Sequence, residues 1–250
     1  MIRVLKIGGR AQADPGLASA VRAAATSDRV VLVHGGGDEV SVLQQRLGLT
    51  PRFAGGRRVT TREDLELVRM VLSGSANKRL VAALVSENVR AVGISGEDDG
   101  LVRAQATARE TLGEVGVPTR VDARLIELLV AAGYVPVISP LARDEESGAT
   151  LNVNGDDAAT AIAIAIGADE LVLVADVPGV MADGVVLPDL DVDRAVALIE
   201  NGTARDGMAA KLQAARRAVE LGVARVRIGD IDAIRSATAG TAITLSPTAV

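Results

Sequence analysis

The chain has 250 residues, a net charge of −5 and 48% hydrophobic residues, which rules out a disordered chain and argues against a nucleic-acid partner. It has no cysteine and one histidine, so disulfides, thiolate chemistry and His- or Cys-rich metal cages are excluded. Its 27 cations include only three lysines, Lys6, Lys78 and Lys211. In so Arg-biased a chain, a surviving lysine marks a place where a compact ammonium serves and a planar guanidinium does not.

The N-terminal MIRVLKIGGR has neither the apolar core nor the cleavage site of a signal peptide, and no apolar run approaches the roughly 18 residues of a membrane span. The expectation is a cytoplasmic protein. Val4–Ile7 reads as a short strand broken by Gly8-Gly9, and Leu17–Ala25 has helical spacing. Val30–Val33 is a continuous β-branched run, the mark of a strand buried on both faces. It stops at His34-Gly35-Gly36-Gly37, and Asp38 opens a helix to Leu47. Asp64–Leu72 and Asn77–Ser86 read as two further helices, and Val89–Ile94 as a strand. Residues 103–121 suggest a small antiparallel hairpin. Leu125–Ala132 is a helix closed by Gly133, and Val135–Ile138 a strand. Asp157–Ile166 is apolar nearly all round, hence a buried helix. Leu171–Val174 is a strand, 194–200 and Met208–Leu221 are helices, and Val223–Ile228 is expected to be the last core strand.

Strands alternating with helices throughout imply an α/β fold, an open three-layer α/β/α sandwich with a mainly parallel central sheet. The expected organisation is one domain over 1–250. It divides into an N-terminal lobe, 1–166, and a C-terminal lobe, 167–250.

Several motifs sit where strands end. Lys6-Ile7-Gly8-Gly9 places an ammonium beside exposed backbone N–H groups, a combination suited to phosphate. No Walker A loop occurs. His34-Gly35-Gly36-Gly37 lets backbone approach a ligand and aims a helix N-terminus at an anion, but Val40 breaks the dinucleotide fingerprint. His34 reads either as a base or, more simply, as a packed and hydrogen-bonded residue. Arg57-Arg58 follows two glycines; one of them is expected to point inward, where its fork suits a carboxylate. Asn152-Val153-Asn154-Gly155-Asp156 precedes the buried helix. N-capping explains one of its polar residues, not all three. In Asp206-Gly207-Met208-Ala209-Ala210-Lys211, Asp206 reads as an N-cap, and Lys211 sits early in a helix against the dipole, a local conflict that points to function.

Taken in order, K-x-G-G, H-G-G-G, G-x-R-V-T, A-N-K, N-x-N-x-D, D-x-x-G-V and D-G-M-x-x-K resemble the amino acid kinase family, and within it the acetylglutamate kinases. The resemblance covers Val4 to about Ile243. It implies ATP-dependent phosphorylation of the side-chain carboxylate of N-acetyl-L-glutamate, on the route to arginine. It implies that Lys6 and Lys211 stabilise the transferring phosphoryl group, with Asp156 holding both. Gly8, Gly9, Gly36 and Gly37 would offer N–H groups to phosphate and substrate, and Arg58 and Asn152 would bind the acyl amino acid. Asp176, Val177, Pro178, Gly179, Val180 and Met181, with Thr203, Ala204 and Arg205, would line the nucleotide site. The cofactors implied are ATP and Mg²⁺, the latter held mainly by phosphates and water.

Two departures, Gly155 where alanine is usual and Pro178 in D-V-P-G-V, resemble related kinases acting on aminoadipate or glutamate attached to a carrier protein. A catalytically silent homologue is the third reading. The first strand begins by Arg3, without the N-terminal helix that arginine-inhibited members resemble one another in carrying. The expected assembly is therefore an arginine-insensitive homodimer joined through the N-terminal lobe.

Overall fold

Alternation along the central strands fixes which face each side chain meets. The computed structural model describes residues 1–246; residues 247–250 of the expected domain lie outside the described residues. The chain opens with β1 (Ile2–Ile7), α1 (Leu17–Ser27), β2 (Arg29–His34) and α2 (Gly37–Arg46), then a short hairpin, β3 (Phe53–Ala54) and β4 (Arg57–Arg58). Next come α3 (Arg62–Arg69), α4 (Asn77–Ser86), β5 (Ala91–Ser95), β6 (Val102–Ala106), α5 (Arg109–Leu112), β7 (Val115–Val121) and α6 (Arg124–Ala131). They are followed by β8 (Val135–Ser139), β9 (Leu141–Asp144), β10 (Thr150–Val153) and α7 (Gly155–Ala165). The remainder holds β11 (Glu170–Val174), β12 (Met181–Ala182), β13 (Val185–Val186), β14 (Asp189–Asp191), α8 (Val192–Glu200), α9 (Asp206–Glu220), β15 (Arg225–Gly229), α10 (Asp232–Arg235) and β16 (Thr241–Thr244).

Among the described residues, eight strands form one sheet in the order β14-β16-β15-β11-β1-β2-β8-β5. All neighbours are parallel except β15 and β16. Residues before 167 supply the β1-to-β5 half, and later residues supply the other. Val4, Val31, Val33, Leu171 and Leu173 face α7 and α9, while Leu5, Ile7, Leu32, Val172 and Val174 face α1, α4 and α10. Both faces are covered, as an α/β sandwich requires. By the same alternation Lys6 lies on the α7–α9 face and His34 on the α4 face.

Helix positions follow the sequence closely. Leu17, Ala20, Val21 and Ala24 form the buried stripe of α1. Thr61 and Asp64 close α3 with a reciprocal capping box. Three expectations change. The two helices expected at 64–72 and 77–86 run on through a widened π turn, Met70–Ala76, that passes Gly74. The expected hairpin forms two adjacent strands of a closed four-stranded unit, β10-β7-β6-β9, which β9 and β10 complete. The strand at 225–229 is not the last: β16 returns antiparallel to it, paired by Val226–Ile243 and Ile228–Thr241.

Candidate active site

Strands β1, β2 and β11 run parallel, so their C-terminal ends, followed by Gly8-Gly9, Gly35-Gly36 and Ala175-Asp176, open on one edge of the sheet. That edge is where open α/β sheets bind ligands. Lys6 reaches from β1 to Asp156 in the first turn of α7, with Nζ 2.9 Å from Oδ1. Lys211, from α9, reaches the same carboxylate at 3.2 Å. All three side chains are buried.

Two ammonium groups in one dry place repel. Burial first, and then Lys6, lowers the Lys211 pKa to about 8, against the pull of Asp156. Burial alone would raise the Asp156 carboxyl; the two lysines overcome it and hold the group below its usual value. Asn154 places this carboxylate by capping α7, its side chain accepting from the Asp156 and Asp157 N–H groups. Gly155 leaves room for the lysine: a Cβ there would lie 3.2 Å from Lys6 Cε.

Two clefts share Gly37; Lys6 and Lys211 line one of them, and Gly155, packed on Lys6, lines the other. One is lined by Gly36, Gly37, Phe53, Arg57, Arg58, Asn152, Asn154 and Gly155. The other is lined by Lys6, Gly8, Gly9, Arg10, Asp38, Asp176, Val177, Asp206, Met208 and Lys211. Gly36 takes φ 153°, and a Cβ there would press within 2.7 Å of Leu72, so only glycine makes this approach. The first-turn N–H of Gly37 has no partner within its helix.

Arg58 is the inward arginine. Its guanidinium donates to Gln44, to the Gly37 carbonyl and to Ser41, and stacks 4.7 Å over the Phe53 ring. Arg57 instead pairs with Asp157 at 2.9 Å. Asn152 donates to Thr60 Oγ1, which leaves its carbonyl oxygen for other partners. His34 is fully buried, and burial lowers its pKa to about 4. With Nδ1 on the Gly35 carbonyl and Nε2 facing the Asn77 amide, it is neutral and structural. Lys78 is structural as well, donating to the Gly93 carbonyl and to Asn77.

Several sequence expectations need adjusting. The Gly8 N–H donates to the Val174 carbonyl and is not free for phosphate. Asp206 is not the N-cap of α9: Arg205 holds that position, and Asp206 is the first helical residue, at φ 46°. Asp176 and Val177 line the second cleft, whereas Pro178, Gly179, Val180, Met181, Thr203, Ala204 and Arg205 do not. Val180 is buried, with its N–H on Thr241. The sequence reading did not single out Arg10 or Asp38, although each directly follows a glycine motif.

The model of the "Amino acid kinase family" matches residues 1–230. The chain belongs to the amino acid kinase family. Among its relatives, the acetylglutamate kinase of Methanopyrus kandleri is 44% identical over 93% of this chain and 96% of its own length. The acetylglutamate kinase of Chloroflexus aurantiacus is 42% identical over 91% of both chains. Among solved structures, smu.665 from Streptococcus mutans superposes with a TM-score of 0.90 at 31% identity, covering 98% of this chain and 99% of that one. Giardia lamblia carbamate kinase shares the fold, with a TM-score of 0.72 at 16% identity over 98% of each chain. No helix among the described residues is long and apolar enough to cross a membrane.

Proposed function

We propose that this member of the amino acid kinase family phosphorylates the side-chain carboxylate of N-acetyl-L-glutamate with ATP, a step of arginine biosynthesis. One observation carries the reading: two buried lysines share one aspartate and line one of two clefts that share Gly37. The acyl amino acid occupies the cleft of Arg58 and Asn152, and the nucleotide occupies that of Gly9 and Asp176. The N-terminal lobe thus binds the acceptor and the C-terminal lobe contributes to the nucleotide cleft.

A carboxylate oxygen attacks the γ-phosphorus, the bond to the β–γ bridging oxygen breaks, and ADP leaves. The nucleophile is already ionised, so no general base is needed, in keeping with a buried, neutral His34. Catalysis then rests on position and charge. Lys6 and Lys211 neutralise the phosphoryl oxygens, and Asp156 keeps both ammoniums near each other. Mg²⁺ would be held mainly by the ATP phosphates and water, as a hard, well-hydrated cation prefers.

The resemblance to the acetylglutamate kinases also supports a cytoplasmic homodimer joined through the N-terminal lobe; light scattering checks the dimer. The deciding experiment is hydroxylamine trapping of the acyl phosphate with N-acetylglutamate, N-acetylaminoadipate, free glutamate and aspartate. The reading requires the first to exceed the others by at least about tenfold in kcat/KM, the low end of what one methylene is worth. Preference for another member of the panel overturns it.

A further inference from the structure

Arg10 has no assigned role. It follows Lys6-Ile7-Gly8-Gly9 directly and opens the short turn Arg10–Ala13. Its guanidinium spans the mouth of the nucleotide cleft: Nη1 lies 3.1 Å from Asp176, beyond the end of β11, and Nε lies 3.8 Å from Asp38, in the first turn of α2. The two aspartates follow β11 and β2, the strands on either side of β1, and both line the cleft. The Arg10 side chain is 77% exposed, and its partners are 74% and 50% exposed. Ion pairs this exposed are weak, so the guanidinium is tethered but not fixed. It is close enough to pull the Asp176 carboxyl below its usual range.

The charge of the cleft gives this tether a meaning. Lys6 and Lys211 already share Asp156, and Asp38, Asp176 and Asp206 line the same space. Without Arg10, four carboxylates would stand against two ammoniums, a poor field for a polyphosphate. A phosphate is a stronger partner for a guanidinium fork than an exposed carboxylate. We propose that Arg10 is a third phosphate-binding cation of this cleft, parked on Asp38 and Asp176 when the cleft is empty and transferred to the nucleotide's β- and γ-phosphates when it fills. This rests on reading the cleft as the nucleotide site.

The test is nucleotide binding by calorimetry, without acyl acceptor, so that an incorrect acceptor assignment leaves the constants unchanged and shows only in the trapping assay. Arg10→Ala is expected to weaken ATP and ADP about tenfold while leaving AMP, which lacks both phosphates, within twofold. Arg10→Lys, which keeps charge but loses the fork, should fall between. Asp38→Asn discriminates the mechanism. If the aspartate is a parking partner, its loss frees Arg10 and tightens ATP two- to threefold. Equal weakening of ATP by Arg10→Ala and Asp38→Asn would identify a clamp between the two aspartates and overturn the proposal. So would unchanged ATP affinity in Arg10→Ala, or an equal loss for AMP.

Discussion

The same three parallel strands and their neighbours carry two buried cation–carboxylate–cation clusters, on opposite faces and at opposite ends. At the C-terminal end Lys6 and Lys211 flank Asp156. Toward the N-terminal end Arg3 and Arg227 flank Glu170, at 2.6 and 2.9 Å. In the second cluster the arginines are occupied: Arg3 also donates to the Ile234 carbonyl, and Arg227 to those of Ala233, Ser236 and Ala239. That cluster ties β1, β11 and β15 to α10 and the turn after it. In the first, Asp156 is the ion-pair partner of both lysines among the described residues, and a cleft lies beside them. An ammonium has three donors and one carboxylate does not consume them. In these two clusters arginine supplies the saturated geometry, and lysine keeps donors for a ligand.

The largest effect should come from breaking the saturated cluster. Glu170→Ala leaves two buried guanidiniums without their carboxylate and is expected to cost about 3–5 kcal/mol of stability. Urea unfolding measures it. At temperatures where the variant remains folded, kcat should stay within a few-fold of wild type. A kcat loss as large as that of the lysine variants would erase the distinction between the clusters.

Next come Lys6→Arg and Lys211→Arg. Charge is kept, but a planar fork must enter a buried space shaped for an ammonium. Each should lower kcat by at least about 10²-fold, the scale of one lost transition-state donor. Melting temperatures should remain near wild type. Near-normal kcat in either variant would show that the residue is not such a donor.

Much of this contrast could be read from the sequence, and the reasons are local. Val30–Val33 announces a doubly buried strand, and three lysines among 27 cations point to Lys6 and Lys211. Asn154 fits its capping role from residue type alone. The structural arginines could not be found this way, because Arg3, Arg227 and Glu170 meet only through strand register. Strands β9 and β10 escape a sequence reading because each is only four residues long, and besides pairing with each other they close on distant strands. The break expected between two helices failed because Gly74 is absorbed in a π turn packed on β5 and β8. The assignment of 178–181 and 203–205 to the nucleotide site rests on the family resemblance alone.

The pH response separates the clusters further. Lys211, with a pKa of about 8, loses its proton in the folded protein well before an unfolded lysine would. A depressed lysine means that the unfolded state binds more protons between about 8 and 10, so this group makes stability rise with pH across that window. Activity moves the other way, because the donor is neutralised: kcat/KM, which follows the free enzyme, should fall as pH passes 8. Opposed slopes of kcat/KM and melting temperature are the signature. Lys211→Met should remove the rise in stability. A rise unchanged in that variant would assign the titration to another group.

The smallest effect expected is that of Gly155→Ala, and it measures how tightly the lysine must be held. The new methyl would lie 3.2 Å from Lys6 Cε and 3.5 Å from the His34 carbonyl oxygen, so the lysine must yield by a few tenths of an ångström. Misplacement by about 1 Å can cost 10²-fold, so a shift this small should lower kcat by no more than about threefold. The four-carbon stem of lysine absorbs part of it. Alanine also favours the first turn of α7, so the melting temperature should rise slightly, the full helix-interior gain being about 1 kcal/mol. The readout is kcat beside thermal unfolding. A loss above about 30-fold with intact folding would mean that Lys6 works within a fraction of an ångström, as rigidly placed as the arginines of the other cluster.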